Sequence, residues 1–429
     1  MLFSKRSRSY LALASMLVLS ACGSDGSDDT STVTPTPTPA ATPTPTPTSG
    51  TDAAATNLVG TGVSQGTSTT AVVMAANAFL DTLGTNQKSE ATTTSSTATV
   101  RFPLTRYNAI QWTNLPGNRH GLRLNTTTLS AAQLTAAENL MATALSASGK
   151  TEQDEIRRAD DVLATRQSGY GSSLYSIAIL GAPSTTAPWM LQIVGHHLAY
   201  NIMYNAAYAS GSPAFLGVEP PNWLVTSTGS IVVNGTASTV GTAHAPLETQ
   251  RAAAQSLAQG LQANSTFASG ALLSGTYNDI VAGASGDTDA NFGKLAYPTT
   301  ARGLLYSSLD STTQGYVKGL IEAYVKTMPA DLATSLLSTY ESTDALAKTY
   351  VGYAKGQGGT ADFGPYPNSS SSPLNAQRSY IRVDGPRVWI EFVVQSGIVY
   401  SSNVHYHSIW RDKVADYGGQ FGSGSTNTF

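Results

Sequence analysis

A Thr/Pro-rich segment near the N-terminus limits where this chain can fold. Residues 23–66 consist largely of Ser, Thr, Asp, Gly, Ala and Pro, and residues 34–48 alternate Thr and Pro almost without interruption. Such a segment cannot bury enough apolar surface to offset its conformational entropy, and its prolines favour an extended polyproline II chain. We therefore predict a disordered tether over 23–66 and expect the folded part to span 67–429.

The segment before the tether is typical of an export signal. Three basic residues lie between positions 5 and 8, and residues 11–19 form an apolar run too short to span a bilayer. The run ends in Leu19-Ser20-Ala21-Cys22, which resembles a bacterial lipobox, whose rule is cleavage before the cysteine and lipidation of its thiol. We predict a lipoprotein-type signal peptide over 1–22, with Cys22 anchoring the mature protein to a membrane. Gly23 after the cysteine resembles the pattern of lipoproteins sent to the outer membrane of Gram-negative cells.

The amino-acid composition argues against several kinds of site and partner. Cys22 is the single cysteine, so the folded part has no disulfide and no thiolate ligand or nucleophile. Only 12% of residues are charged, the formal net charge is −3 and no block of Lys or Arg occurs, so we do not expect nucleic acid as a partner. No Pro/Gly-rich linker divides residues 67–429. We predict one exported domain in the cell envelope.

Hydrophobic periodicity predicts helices and strands in alternating regions. Predicted helices cover Ala71 to Leu83, Ser130 to Ala147 with Ser130 as N-cap, Thr151 to Thr165, Leu247 to Leu261, Thr312 to Lys326 with Asp310 or Ser311 as cap, and Ala330 to Tyr340. Predicted strands cover Leu174 to Leu180, Trp189 to about Tyr204 with a break or bend near Gly195, Tyr350 to Tyr353, Ser379 to Val383, Arg387 to Val394 and Val404 to Trp410. A tight turn is predicted at Asp384-Gly385-Pro386. Helices packed on an antiparallel strand meander indicate a single α+β domain.

Four of the six histidines fall into two tight clusters, His196-His197 and His405-x-His407, and both lie in predicted strands. Alternate strand residues share a face, so His405 and His407 point to one side about 7 Å apart and Tyr406 points to the other. Adjacent histidines cannot do this on a regular strand. Either Gly195 permits a bulge that turns His196 and His197 the same way, or one is a ligand and the other binds substrate or backbone.

Several imidazoles that converge would form a metal site. Neutral imidazole is a common ligand of Zn, Cu and Fe, and the lack of cysteine argues against a closed structural zinc site. We therefore predict a divalent transition metal held by His405 and His407, with His197 or His196 as a further ligand. Paired strand histidines are also common as hydrogen-bonded core residues, and spacing alone does not bring the two clusters together.

Other groups are candidates for the remaining chemistry. A histidine could act as a general base oriented by a carboxylate, and Glu391, Glu219, Asp412 and Asp416 are available. We favour Glu391 as the acid/base group and Arg382 or Arg411 as the group that holds an anion. The pair Arg411-Asp412 fits a structural ion pair better than a catalytic one. His120 and His244 are assigned to loops without a role.

Two further patterns imitate known motifs. Asp287-x-Asp289-x-Asn291 followed by Gly293 imitates a calcium loop, but the glycine comes one place late and position twelve is Pro298. The segment from His405 to Gly418 imitates the first cupin motif, but the second is missing and the predicted helices are too many for a jelly roll. We favour neither interpretation.

Two blocks of the sequence resemble a bacterial family known as domain of unknown function 3500. The central block contains Gly181-x-Pro183-Ser184, Trp189, Gly195-His196-His197-Leu198 and Pro213-x-Phe215-Leu216-Gly217. The C-terminal block contains Tyr380-Ile381-Arg382, Gly385-Pro386-Arg387-Val388-Trp389-Ile390-Glu391, His405-x-His407-x-x-Trp410-Arg411-Asp412 and Asp416-Tyr417-Gly418. With Gly121-Leu122-Arg123, the resemblance covers nearly all of the chain after the tether. It implies export and this architecture, and it brings no assigned activity.

Taken together, these features predict a metal-dependent enzyme that acts on a small or polymeric extracellular compound, either a hydrolase or an oxidoreductase. The alternative is a surface binding module without chemistry. In that module Trp189, Tyr406 and Trp410 would stack on a glycan or another flat ligand, and the histidines would donate hydrogen bonds.

Overall fold

The long helices and several strands form close to where hydrophobic periodicity predicts them. A computed structural model describes residues 67–205, 208–233, 240–284, 295, 297–366 and 373–419. The predicted signal peptide with Cys22, the tether and the calcium-like Asp287–Asn291 motif lie outside the described residues. Within these residues no helix is long and apolar enough to cross a membrane.

The described helices are α1 Thr67–Thr82, α2 Thr85–Lys88, α3 Arg106–Ala109, α4 Ala131–Ala144, α5 Ala147–Ala164, α6 Glu248–Ala263, α7 Ser265–Ala271, α8 Ser311–Val325, α9 Ala330–Tyr340 and α10 Thr343–Leu346. The described strands are β1 Arg101–Phe102, β2 Leu122–Arg123, β3 Ser176–Leu180, β4 Trp189–Gly195, β5 Leu198–Asn205, β6 Tyr208–Ser210, β7 Ala214–Val218, β8 Trp223–Val225, β9 Ile231–Val232, β10 Thr242–His244, β11 Leu304–Leu305, β12 Tyr350–Ala354, β13 Tyr380–Asp384, β14 Val388–Ser396 and β15 Val404–Asp412.

Side-chain caps determine where several helices begin. The Ser130 hydroxyl accepts from the backbone N–H of Gln133, whose side chain accepts in return from the Ser130 N–H, so α4 begins with a capping box. Asp310 caps α8 by accepting from Thr313 N–H at 2.7 Å, one of the two predicted caps. The predicted start at Thr151 is wrong, because Ser146 caps α5 and the helix begins at Ala147.

Twelve strands form one mixed sheet, in the order β1-β3-β4-β5-β7-β15-β14-β13-β12-β11, with β2 beside β3 and β6 beside β5. Strands β1 and β3 are parallel, and the other neighbours within the described residues are antiparallel. Strands β8, β9 and β10 form a separate small sheet. The predicted α+β class is confirmed, since the helices pack on an almost entirely antiparallel sheet.

The two faces of the large sheet are covered differently. On one, which we call the helix face, a large apolar cluster joins Leu257 of α6 and Leu320 of α8 to strand residues such as Leu216 and Tyr406. The opposite face, which we call the loop face, carries smaller clusters in which irregular segments pack on strand residues such as Ile409. Successive residues of a strand point to opposite faces of the sheet, so each strand contributes side chains to both faces.

Candidate metal centre

Strand β15 presents two histidines to the loop face. His405 and His407 are 3% and 5% exposed, and they share that face with Ile409. Tyr406 belongs to the helix-face cluster, as the predicted alternation requires. The ring centroids of His405 and His407 lie 4.8 Å apart, so the two imidazoles are neighbours.

A third imidazole reaches the same place from the β4–β5 hairpin. His196 and His197 form the two-residue turn of this hairpin, and His197 adopts a left-handed φ of 61°. Strand β5 pairs with β7, and β7 pairs with β15, so the hairpin end lies beside His405 and His407. The candidate ligand atoms of His197, His405 and His407 all lie within 4.8 Å of one another. The fold therefore brings members of the two clusters together in these three residues, which we call the triad.

The triad has dimensions that suit one metal ion. Imidazole nitrogens about 2.0–2.1 Å from a tetrahedral ion lie roughly 3.4 Å from one another. The donor atoms of the triad, within 4.8 Å of one another, approach this spacing. All three histidines are buried, and the Asp279 side chain that contacts His407 is 50% exposed. The centre therefore lies just beneath the surface.

Hydrogen bonds orient two of the three rings. Nδ1 of His405 lies 2.5 Å from the Ser396 carbonyl oxygen, and Nδ1 of His407 lies 2.8 Å from a carboxylate oxygen of Asp279. Both oxygens can only accept, so Nδ1 donates and Nε2 keeps its lone pair for a ligand. Nε2 of Gln395, a donor, also lies 3.0 Å from Nδ1 of His407 and competes for this atom, but the charge-assisted bond to Asp279 is the stronger of the two. The ring of His197 has no hydrogen-bond partner among the described residues.

Burial keeps His197 and His405 in the form that binds metals. Desolvation lowers the pKa of His197 well below its ordinary value, and the three neighbouring histidines lower it further. Desolvation also lowers the pKa of His405, assisted by His407, while the Ser396 carbonyl opposes the shift. Both imidazoles are therefore neutral at neutral pH.

A glycine lies directly against two of the triad imidazoles. Gly217 of β7 lies opposite His407, and a Cβ there would come within 3.1 Å of Cδ2 of both His197 and His407. It would also come within 2.9 Å of the Tyr406 carbonyl oxygen. The absence of a side chain at this position lets the two imidazoles approach the sheet.

His196 does not join the triad, contrary to its inclusion among the predicted ligands. Its Nδ1 lies 2.5 Å from the buried carboxylate of Asp160 on α5, and its ring stacks on that of His197 at 3.7 Å. Asp160 also accepts from the backbone N–H of Gly171. The predicted bulge at Gly195, which would turn both side chains the same way, is not found, because the two histidines form a hairpin turn.

Glu391 anchors a loop. Its fully buried carboxylate accepts from the backbone N–H groups of Val281 and Ala282, at 2.5 and 2.8 Å. Tyr380 O–H and Trp389 Nε1–H donate to the same group. Burial raises the pKa of Glu391, and these donors oppose the shift. The contacts hold the 277–283 loop over the sheet and so place Asp279 at His407; the predicted acid/base role stays a prediction.

The two predicted anion-binding arginines also hold irregular segments. Arg411 donates to the carbonyl oxygens of Ala282 and Gly283 and to the carboxylate of Asp416. Arg382 donates to the Ala301 carbonyl and lies over the Trp389 ring. The predicted pairing of Arg411 with Asp412 is wrong, because neighbours on a strand face opposite ways and Asp412 instead binds Arg387.

Glu219 is a further buried carboxylate near the histidine clusters. It directly follows β7, one residue beyond the Val218–Tyr406 pair that ends the β7–β15 register. Its Oε1 accepts from Val399 and Tyr400 N–H, both at 2.8 Å, which anchors the 397–403 loop. Burial raises the pKa of Glu219, and these donors and His196 lower it.

The remaining histidines and the predicted ligand-stacking aromatics have structural contacts. His120 is buried between Gln192 and the Thr94 carbonyl. His244 ends β10 rather than lying in a loop; it stacks on Trp223 and binds Glu155. The aromatic residues proposed to stack on a ligand are all buried: Trp189, Tyr406 and Trp410. They are thus unavailable to an external glycan.

No local sequence pattern indicates the two carboxylates that orient histidines. Asp279 and Asp160 are ordinary acidic residues in sequence, one in a loop and one within a helix. Their roles depend on long-range packing against His407 and His196. The register of β7 against β15 would have favoured Glu219 among the candidate carboxylates, but that pairing was not predicted.

Comparison with known proteins identifies the family. The family model described as "Protein of unknown function (DUF3500)" matches residues 65–419, which is most of the chain. The protein therefore belongs to this family, as the resemblance of its two motif blocks indicated. No curated protein and no solved structure matches the chain significantly.

Proposed function

We propose that this protein is a metal-dependent enzyme whose ion is held by His197, His405 and His407. The observation that carries the proposal is the convergence of three buried imidazoles from two distant segments, with donor atoms within 4.8 Å of one another. Two of the rings are oriented by acceptors at Nδ1, as metal-binding histidines usually are. An unrelated packing role would not need such oriented lone pairs.

Three neutral ligands leave at least one coordination position open. This donor set matches catalytic zinc sites, in which three protein ligands leave a position for water or substrate. A bound divalent ion there would supply Lewis-acid activation of water or of a substrate carbonyl, which is the basis of our preference for hydrolysis. The chain itself orients the rings through Ser396 and Asp279. Glu219, one residue beyond the Val218–Tyr406 pair, is our candidate acid/base carboxylate.

Metal analysis tests the proposal directly. Protein purified without a His-tag should hold about one equivalent of Zn, Cu or Fe per chain after reconstitution, measured by inductively coupled plasma mass spectrometry. The variant His405→Ala/His407→Ala should lose it. His244→Gln is the matched control, because His244 binds Glu155 and lies outside the triad. A wild-type protein without stoichiometric metal, or a double variant that retains it, would overturn the proposal.

We further propose that the enzyme works in the cell envelope, held to a membrane by a lipid on Cys22. The motif Leu19-Ser20-Ala21-Cys22 and the Thr/Pro-rich tether support this location. Cys22→Ser should move the protein from the membrane fraction to the soluble fraction. Unchanged membrane association and processing of this variant would refute the anchor and leave the metal centre untouched.

A further inference from the structure

Three segments of the chain, each within or beside a loop, contact one triad histidine apiece; Ser396, the last residue of β14, precedes the third loop. The Asn114 carbonyl accepts from His197 N–H at 3.3 Å. The Ser396 carbonyl binds His405, and Asp279 binds His407. We call the 113–118, 277–283 and 397–403 segments the rim loops.

Each rim loop is fixed by one buried charged residue. Arg119 donates to the carbonyl oxygens of Thr113 and Leu115, and it also lies 3.5 Å from the carbonyl of Gly195 beside the hairpin turn. Glu391 and Glu219 hold the other two loops through backbone N–H groups. Because these anchors are buried and multiply bonded, the rim loops have defined positions relative to the triad.

Each rim loop also exposes one large aliphatic side chain. Leu115 is 63% exposed, Val281 is 45% exposed and Ile398 is 69% exposed. Each lies within two residues of the group that contacts a triad histidine, so its Cα is at most about 7.6 Å along the chain from that residue. Exposed aliphatic residues are unremarkable singly, but three that border one polar centre indicate a binding surface.

We propose that Leu115, Val281 and Ile398 form an apolar subsite, so that the substrate of the metal centre is an amphiphile whose metal-binding polar group carries an aliphatic chain. The inference rests on the proposed function and names its substrate class. The half-exposed Asp279 carboxylate beside Val281 favours a small amphiphile over a lipid bilayer, because a bilayer would cover and desolvate that charge. Water or a polar substrate group can solvate it at the mouth of a small-molecule site.

Alkyl hydroxamates test the subsite, because their polar group chelates the metal and their chain length can be varied. Calorimetric titration of zinc-loaded full-length protein should show octanohydroxamate binding at least about tenfold tighter than acetohydroxamate, since each fully buried methylene contributes roughly fourfold. The variant Leu115→Ser/Val281→Ser/Ile398→Ser should bind both ligands with the acetohydroxamate affinity. Met74→Ser is the control, because Met74 is equally exposed but lies on α1.

The outcomes separate this inference from the metal proposal. Equal wild-type affinities for the two hydroxamates, or a chain-length effect that survives the triple variant, would overturn the subsite and leave the metal centre standing. The subsite would also be overturned if the wild type bound phosphatidylcholine vesicles, the triple variant did not, and hydroxamate affinity did not depend on chain length. The rim loops would then bind a lipid surface. A protein that binds no zinc by mass spectrometry would refute the proposed function, and the subsite with it.

Discussion

The helix face and the loop face of the sheet are stabilised by different interactions. On the helix face, regular helices bury aliphatic residues such as Leu257 and Leu320 against the strands. On the loop face, buried charged groups such as Glu391 and Arg411 bind the backbone of irregular segments. A helix satisfies its own backbone groups, whereas a loop packed on a sheet needs partners for them. The loop face therefore supplies defined but irregular positions for the triad.

The largest expected effect comes from removing a loop-face anchor. Glu391→Ala should lower the free energy of unfolding by about 3–5 kcal/mol, because several buried donors lose their acceptor. It should also weaken zinc binding by at least about tenfold, since Asp279 loses its position at His407. Urea denaturation and zinc titration measure the two effects.

Leu320→Ala is the matching variant on the helix face, to be compared with Glu391→Ala on the loop face. It should cost a similar 2–5 kcal/mol through the cavity it creates, with zinc affinity unchanged. Equal zinc affinities for Glu391→Ala and wild type would contradict the positioning role of the loop face.

A buried carboxyl group on the helix face should make stability depend on pH. Glu152 of α5 is held by Gln250 and Tyr200, and burial raises its pKa to about 8. Its contribution is fully present below about pH 4.5, its ordinary pKa, and is lost as pH rises through about 8. Glu152→Gln should therefore remove this decline and exceed the wild type in stability at pH 9 by a few kcal/mol, on the order expected from the shift.

Urea midpoints measured from pH 5 to 9 check the sign. A wild type and Glu152→Gln that change in parallel across this range would show that Glu152 is not protonated in the fold. The same series on zinc-free protein excludes a contribution from the metal centre.

Two glycine substitutions give the smallest expected effects. Gly217→Ala should weaken zinc binding by about tenfold or less, because its Cβ presses on His197 and His407 and neither ring can withdraw far in a packed site. Gly315→Ala in α8 meets nothing within 4 Å and should stabilise the fold by about 0.5–1 kcal/mol. Zinc titration and thermal unfolding of both variants test this contrast. Unchanged zinc affinity in Gly217→Ala would show that the atoms around residue 217 can move to accommodate the added methyl group.

Local patterns predicted the long helices and the C-terminal strand meander. Helix α9 runs over Ala330–Tyr340 as predicted, and β13, β14 and β15 form the predicted meander, because periodicity and caps are local properties of the sequence. The start of α5 was predicted wrongly, because Ser146 caps this helix and it begins at Ala147 rather than at Thr151. Strand order was not predicted, since pairing of β7 with β15 depends on residues far apart in the chain.

The candidate site was predicted only in part, because some of its contacts join residues far apart in the chain. The shared face of His405 and His407 follows from strand alternation, and it was predicted. The choice of His197 over His196 depends on the hairpin turn and on Asp160 of a helix from elsewhere in the chain. The contacts of Glu391 and Arg411 with loop backbone also arise from tertiary packing, so sequence chemistry alone favoured catalytic roles for them.

X-ray absorption spectroscopy of tag-free, zinc-loaded protein tests the central claim most directly. We expect the zinc edge to report three imidazole nitrogens at about 2.0–2.1 Å and one further light atom. The spectrum of His197→Ala should lose one imidazole, while that of His196→Ala should keep all three. Fewer than three imidazoles in the wild-type spectrum, or the loss of one in His196→Ala, would contradict the triad.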